Sequence, residues 1–160
     1  MFCHFHPSPL GKIRLLANEH GLIGVTLASQ REDDDVDPDW LLTEDPFIEC
    51  CHQLDAYFAG TLTRFTVPLA PEGTEFQKQV WTALRSIPYG ETCSYKTIAD
   101  AINNPKAVRA VGAANGKNPI AIIVPCHRVI GANGKLTGYA GGVDMKAYLL
   151  KLEGALAVHD

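Results

Sequence analysis

A chain of 160 residues can bury one good core or two small ones, and 46% hydrophobic with 20% charged residues is the balance of an ordinary globular protein. No apolar run approaches the roughly 18 residues of a membrane span, and Met1-Phe2-Cys3-His4 reads as neither a basic nor an apolar leader, so a cytosolic protein is expected rather than a membrane-spanning or secreted one. The formal net charge of -4 is divided unevenly, with four Lys/Arg against twelve Asp/Glu in residues 1–74 and ten against six in residues 75–160, which directs only the second half toward a polyanion.

Phe2 to His6, Lys12 to Ala17 and Leu22 to Ala28 read as short strands, the last two joined by Asn18-Glu19-His20-Gly21, whose Asn and Gly suit a hairpin turn. The acidic run from Arg31 to Asp39 reads as a solvated loop, because nothing holds its carboxylates in a converging geometry. A helix follows, with Asp45 as N-cap, Pro46 at its first position, Gly60 past its end, and Phe47, Cys51, Leu54 and Phe58 along one apolar face. Arg64 to Leu69 can supply another strand before Pro71 and Gly73 mark a linker. Residues 1–73 are therefore expected to form a small α/β domain, antiparallel strands with a helix on one face, that has a structural role and no chemistry.

The five cysteines, Cys3, Cys50, Cys51, Cys93 and Cys126, are odd in number and irregularly spaced, which suits reduced thiols better than a disulfide framework. Cys3, His4, His6, Cys50, Cys51 and His52 are metal-ligand types, but they lack the pairwise spacing of structural zinc sites, and adjacent Cys50 and Cys51 project in different directions from a helix. No metal is expected.

In the second half, Thr74 and Gln77 have capping-box spacing, and Phe76, Val80, Leu84 and Ile87 recur at helical intervals until Pro88-Tyr89-Gly90. Ser94 caps a second helix through Ile102, and Asn103-Asn104-Pro105 turns the chain into a third, from Lys106 to about Asn115. Two short helices joined tightly, the second basic at its start, have the layout of a helix-turn-helix. On the third helix Val108 and Val111 are expected to face inward, with Lys106, Arg109, Ala110 and Ala113 outward. That outer face lacks the Asn, Gln and Ser of a base reader. Its small residues suit close, sequence-independent approach to a nucleic-acid backbone, with packing on another helix as the alternative. Further on, Gly131 to Lys135 reads as a turn and Thr137 to Gly142 as a flexible loop. Asp144 caps a closing helix that contains Tyr148, Leu149 and Leu152, with Glu153 in its last turn and Gly154 as its stop. A carboxylate there opposes the helix dipole, so a charged partner such as His127 is expected to hold it.

Between these helices the apolar run Ile120-Ala121-Ile122-Ile123-Val124 reads as a strand stopped by Pro125, followed by Cys126, His127 and Arg128. Cationic neighbours of this kind lower a thiol pKa and supply a thiolate nucleophile. Neighbours in extended chain point apart, so Cys126 and His127 need a local turn or a bridging water to cooperate. For the dipeptide alone, a buried cysteine beside a capping histidine is the commoner reading.

Val124-Pro125-Cys126-His127-Arg128-Val129-Ile130 resembles the active-site signature of the O6-alkylguanine-DNA alkyltransferases, the methylated-DNA–protein-cysteine methyltransferases, and most nearly their bacterial Ogt-like members. Ser94-Tyr95, the run Asn104 to Gly112, Asn118-Pro119, Gly138 to Gly142 and Leu152-Glu153-Gly154 fall in that family's order and spacing. The resemblance covers residues 74–154 and, more loosely, the N-terminal part. It implies an α+β fold: a ribonuclease H-like domain over 1–73, antiparallel sheet plus helix, then a mostly helical winged helix-turn-helix-like domain over 74–160. It implies DNA repair by direct reversal, with irreversible, stoichiometric transfer of an alkyl group from O6-alkylguanine, and from O4-alkylthymine, to Cys126. The partner would be double-stranded DNA carrying alkylated bases, bound by a monomer that needs no cofactor. Cys126 would accept the alkyl group, His127 would deprotonate it through a water, and Glu153 would orient the imidazole. Asn118 would fix the surrounding turn, and Tyr95 would donate a proton to the departing base. Groups around Val129, Tyr139 and Ala140 would hold that base after flipping, with Arg109 inserted in its place. Lys106, Ala110 and Ala113 would face DNA, with Lys96, Asn104 and Gln77 at its backbone. Some relatives carry a structural zinc, but the corresponding positions here read Asn18 and Ile23.

Three other functions fit parts of this pattern. A Cys-His hydrolase shares the nucleophile and base but leaves the helix-turn-helix and Arg109 without a purpose. A non-catalytic alkylated-base-binding protein would not need Cys126. A transcriptional regulator would need a better base-reading face than Lys106 to Asn115 provides.

Overall fold

The structure, a computed structural model, describes residues 1–31, 36–136, 139 and 141–155. β1 (Phe2–His6), β2 (Ile13–Asn18) and β3 (Gly21–Thr26) form an antiparallel meander, and β4 (Leu41–Leu42) adds parallel to β1, giving the order β3-β2-β1-β4. Strict alternation along β2 buries Ile13, Leu15 and Ala17 on one face. The β2–β3 turn forms as its residues dictate: Asn18 Oδ1 accepts from the N–H of His20 at 2.8 Å and of Gly21 at 3.2 Å. Of the acidic run, residues 32–35 lie outside the described residues.

α1 (Ile48–Phe58) begins later than expected. Asp45–Phe47 forms a separate 3-10 turn around Pro46, so Asp45 is not the cap; Gly60, at φ +78°, does end the helix. Phe47, Cys51 and Leu54 are buried as expected, Phe58 only partly, and Cys50 and Tyr57 are buried as well, because α1 is covered on more than one side. The strand expected over Arg64–Leu69 does not form. Gln53 takes the Thr66 N–H at 2.9 Å, Pro68 has no donor, and the segment makes only a single bridge to Leu22 through Leu69.

α2 (Glu75–Leu84) starts at the expected capping box, with Gln77 N–H on Thr74 Oγ1 at 3.1 Å and Thr74 N–H on Gln77 Oε1 at 3.0 Å. β5 (Cys93–Ser94) leads into α3 (Tyr95–Ala101), capped by Ser94, and Asn103 at φ +59° turns the chain toward α4 (Val108–Gly116). α4 starts two residues later than expected, since Ala107 N–H closes a turn on Asn104 O. Val108 therefore lies in its first turn, 36% exposed rather than facing inward, while Val111, Ala114 and Asn115 are buried. Trp81 Nε1–H donates to Ala114 O at 2.9 Å and locks α2 to α4. β6 (Val129–Ile130) pairs parallel with β5, and α5 (Val143–Leu152) closes the chain.

An N-terminal antiparallel-sheet part and a helical C-terminal part result, but they share one apolar core. Val25 N–H donates to Pro119 O at 2.9 Å and Ala121 N–H to Val25 O at 3.0 Å, so the edge of β3 holds the segment that leads to Cys126. Among the described residues no helix is long and apolar enough to cross a membrane.

Candidate active site

The run Ile120–Val124 is not a strand. Asn118 Nδ2 donates to Ile120 O at 3.2 Å and Val124 O at 2.8 Å, while its Oδ1 accepts from Ile120 N–H at 3.1 Å. Around this brace the chain makes two three-residue turns. One centres on Ile122 at φ +70°, with Ile123 N–H on Ala121 O at 2.8 Å; the other centres on Pro125, with Cys126 N–H on Val124 O at 2.8 Å. A β-branched residue in the left-handed region is strained, and here the side chains of residues 120–124, all buried, hold it there. Cys126–Arg128 then forms a 3-10 turn, so Cys126 and His127 do not sit in extended chain and the local turn they need is present.

That turn delivers His127 and Arg128 to Glu153 at the C-cap of α5. His127 Nε2 lies 2.7 Å from Glu153 Oε2; Arg128 grips both oxygens, Nε on Oε1 at 2.8 Å and Nη2 on Oε2 at 3.1 Å. Tyr57 of α1 donates its hydroxyl to Oε2 at 2.5 Å. Arg128 Nη1 also donates to Ile87 O at 2.7 Å, beyond the end of α2. The expected partner of Glu153 is thus present, with a bidentate guanidinium beside it that offsets the unfavourable end of the helix dipole. Burial works to raise the Glu153 pKa, but the hydrogen bonds from His127, Arg128 and the Tyr57 hydroxyl bring it down to about 2. An ionised carboxylate only accepts, so His127 carries its proton on Nε2 and presents a lone pair at Nδ1, a buried atom with no hydrogen-bond partner among the described residues. Burial lowers the His127 pKa against the pull of Glu153, and the Arg128 and Lys146 charges lower it further, so the ring rests neutral.

A cysteine next to an oriented, neutral base with its lone pair unspent, on the same buried turn, is the arrangement of an activated thiol nucleophile. Residues 75–155 match the family model for the DNA-binding domain of 6-O-methylguanine DNA methyltransferase, and residues 1–71 match the model for its ribonuclease-like domain. The chain belongs to the 6-O-methylguanine DNA methyltransferase family. A methylated-DNA–protein-cysteine methyltransferase of Methanosarcina acetivorans is 59% identical over 155 residues, 97% of this chain and 99% of that one. One of Mycobacterium leprae is 52% identical over 94% of this chain and 91% of its own. The crystal structure of Mycobacterium tuberculosis OGT in complex with DNA superposes with a TM-score of 0.89 at 50% identity, covering 97% of this chain and 94% of that one. Membership brings the reaction class with it: repair by direct reversal, in which an alkyl group moves from DNA to a cysteine of the protein.

In this alkyltransferase the resting thiol is not the low-pKa group that its neighbours in sequence suggest. Burial raises the pKa of Cys126, opposed by a hydrogen bond from Asn118, the Lys146 charge, its own backbone N–H and the Tyr139 hydroxyl. Desolvation disfavours an anion, and the charge of Arg128 is spent on Glu153. Cys3, Cys50, Cys51 and Cys93 are also raised, in each case first by burial, so no thiol among the described residues is anionic at rest. What sets Cys126 apart is the base and donors around it.

Asn118 and Tyr139 thus join Cys126, His127 and Glu153 in one cluster. The buried Tyr139 hydroxyl faces the Cys126 sulfur without a well-formed hydrogen bond, and burial followed by that thiol raises its pKa. Val129 is fully buried and pairs with Cys93, which sets Tyr95, two residues on, at the head of α3 beside Gly112 of α4. Lys96, Asn104, Lys106, Arg109, Ala110 and Ala113 are exposed. Lys96 bonds Asp100 along its own helix at 3.1 Å, and Gln77 spends its side chain on the α2 cap. Ala140 lies outside the described residues, as do Thr137 and Gly138.

Three residues of the cluster escaped the sequence. Lys146, 0% exposed, donates from Nζ to Val129 O at 2.6 Å and places a cation near the thiol; burial lowers its pKa and Cys126 raises it. Asn115 of α4 donates to Cys126 O at 3.4 Å, tying the putting-together of the reactive turn to the outer helix. Tyr57 lies on the apolar stripe of α1, where an aromatic reads as core, and nothing in its spacing signals a partner 96 residues away. Tyr57→Phe is expected to cost about 1.5–3 kcal/mol, the value of a hydrogen bond to a charged group. Urea unfolding monitored by tryptophan fluorescence measures this directly.

Proposed function

We propose that this alkyltransferase removes alkyl groups from O6-alkylguanine, and from O4-alkylthymine, in double-stranded DNA and keeps them on Cys126. The observation that carries the assignment is His127, bonded through Nε2 to an ionised Glu153 and left with a buried, unspent Nδ1 on the turn that bears Cys126. His127 Nδ1 takes the thiol proton, through a bridging water, when substrate arrives. The sulfur then attacks the alkyl carbon, the carbon–oxygen bond breaks, and the electron pair stays with the departing base. Tyr95 supplies a proton to that base, and Lys146, Asn118 and Tyr139 stabilise the transient thiolate. A thioether has no ready leaving path, so each molecule reacts once, without metal or coenzyme.

The exposed face of α4 supports DNA contact, with Arg109, Ala110 and Ala113 outward and no base-reading amide. Lys106, Asn104 and Lys96 stand along the same helix-turn-helix, and Gln77 stands at the start of α2; all four reach the DNA backbone. Arg109 fills the stack after the target nucleotide swings out, and groups at Val129, Tyr139 and Ala140 receive the base. Residues 1–73 and 74–160 act as a supporting and a reactive domain within a cytoplasmic monomer. Arg109→Ala is expected to slow transfer from duplex DNA by about tenfold or more, since a few kcal/mol of unstacking loses its compensation. Transfer from the free modified base should stay unchanged, and the ratio of the two rates is the measurement.

The reading itself is tested by intact mass spectrometry after mixing with duplex DNA that carries one 6-O-methylguanine, followed by peptide mapping. One added methyl on the Cys126 peptide, absent with undamaged DNA, is expected. Tight binding without any mass change would reduce the protein to damage recognition.

A further inference from the structure

Spacing along the chain gave no reason to group the histidines and cysteines of the N-terminal part, but the fold brings some of them together. His4 and His6 are two residues apart on β1, so strand alternation sends both rings to one face of the sheet, and α1 covers that face. Cys51 projects from α1 toward them. One ligand atom from each of His4, His6 and Cys51 lies within 4.8 Å of the other two. Around a tetrahedral zinc, with sulfur at about 2.3 Å and nitrogen at about 2.0–2.1 Å, ligand atoms stand about 3.3–3.8 Å apart, so small rotamer changes close the gap.

Two further features favour a cation there. Asp55 is one turn beyond Cys51 on the same face of α1, with Oδ1 2.7 Å from His6 Nε2. It can serve as a fourth, oxygen ligand or as the carboxylate that orients a ligating imidazole. Cys51 is 5% exposed, and the negative charges of Glu44 and Asp55 act at its sulfur, a field that attracts a divalent ion.

We propose that His4, His6 and Cys51, with Asp55, bind one zinc ion that ties β1 to α1. Two imidazoles, a thiolate and a carboxylate or water form a donor set of the borderline softness that zinc prefers. Binding releases the Cys51 thiol proton to solvent, and the thiolate becomes a ligand. These are not the positions at which some relatives hold a structural zinc. At those positions Asn18 spends its side chain on the hairpin and Ile23 is a buried apolar residue, so neither supplies a ligand. The site also shares no residue with the cluster around Cys126.

Cobalt(II) is the probe, added to the chelator-treated full-length protein, with the thiolate-to-cobalt charge-transfer band and the visible bands of a tetrahedral ion as readouts. About one cobalt per chain is expected, displaced by one zinc, with a matching rise in melting temperature. Cys51→Ser should abolish the charge-transfer band. His4→Ala, a change on a half-buried strand position that leaves the helix untouched, should weaken binding more than about tenfold. Cys126→Ala should keep both the band and the affinity, which separates this site from the reactive thiol. Absence of a stoichiometric band in the wild-type protein, or a band that survives undiminished in Cys51→Ser or His4→Ala, overturns the proposal.

Discussion

Cys126→Ala is expected to lose alkyl transfer completely while it still folds and still binds alkylated duplex DNA. The substitution removes one sulfur from a buried position and leaves the Asn118 brace, the Glu153 network and the outer face of α4 intact. Cys3, Cys50, Cys51 and Cys93 cannot take over, because all are raised by burial and none stands on the turn that carries His127 to Glu153. Intact mass after incubation with 6-O-methylguanine duplex reads transfer, and fluorescence anisotropy of the same labelled duplex reads binding. Residual methylation of the alanine variant would place the acceptor on another side chain. A corollary concerns the wild-type thiol. Since it rests protonated, general thiol reagents should label Cys126 slowly at neutral pH, and the base substrate should react with it far faster.

Glu153→Ala is expected to cost about 3–5 kcal/mol, the penalty for removing one partner of a buried ion pair. Arg128 would keep its charge in a nearly closed site, and the buried Tyr57 hydroxyl and the His127 ring would lose their shared acceptor. Against a total stability of roughly 5–15 kcal/mol, that loss moves the protein to the edge of unfolding. Glu153→Gln, nearly the same shape, should fold better but still react slowly, because a neutral amide no longer fixes the histidine proton on Nε2. The carboxylate also predicts an acid dependence with a definite sign. Its folded pKa of about 2 lies below the ordinary glutamate value of about 4.3, so the unfolded chain binds the proton more readily. The contribution of Glu153 is therefore fully present above about pH 4.3 and is lost as the pH falls from there through about 2. Circular dichroism across that range should show the wild type losing stability more steeply than Glu153→Gln. His127 acts in the same direction at higher pH: its lowered pKa means that the unfolded chain protonates first, so stability also declines as the pH drops below about 6.5.

The Tyr57–Glu153 bond revises the role expected for the N-terminal part. The expectation was a structural domain without chemistry, yet α1 supplies a hydroxyl at 2.5 Å to the carboxylate that orients the base. β3 likewise holds the backbone on either side of Ile120. The first half of the chain therefore positions the reactive turn.

Sequence alone determined whatever is encoded within a turn or two of chain. The Thr74–Gln77 capping box, the Asn18 and Gly21 hairpin, the Ser94 cap and the small outer face of α4 all follow from residue type and spacing, because each depends on local dihedrals and near neighbours. Pro125-Cys126-His127-Arg128 and Glu153 belong with these, since their order along the chain carried the family pattern. Only the tertiary structure decided the rest. An apolar run that suits a strand became two tight turns, with Ile122 forced to φ +70° by the Asn118 brace and the packing around it. A thiol beside two cationic residues, expected to be acidic, became one raised by burial, because desolvation depends on everything packed around a group and not on its neighbours in sequence. Tyr57 and Lys146 show no local signal, and His4, His6 and Cys51 show only their residue types, since convergence of distant side chains is a property of how the layers pack.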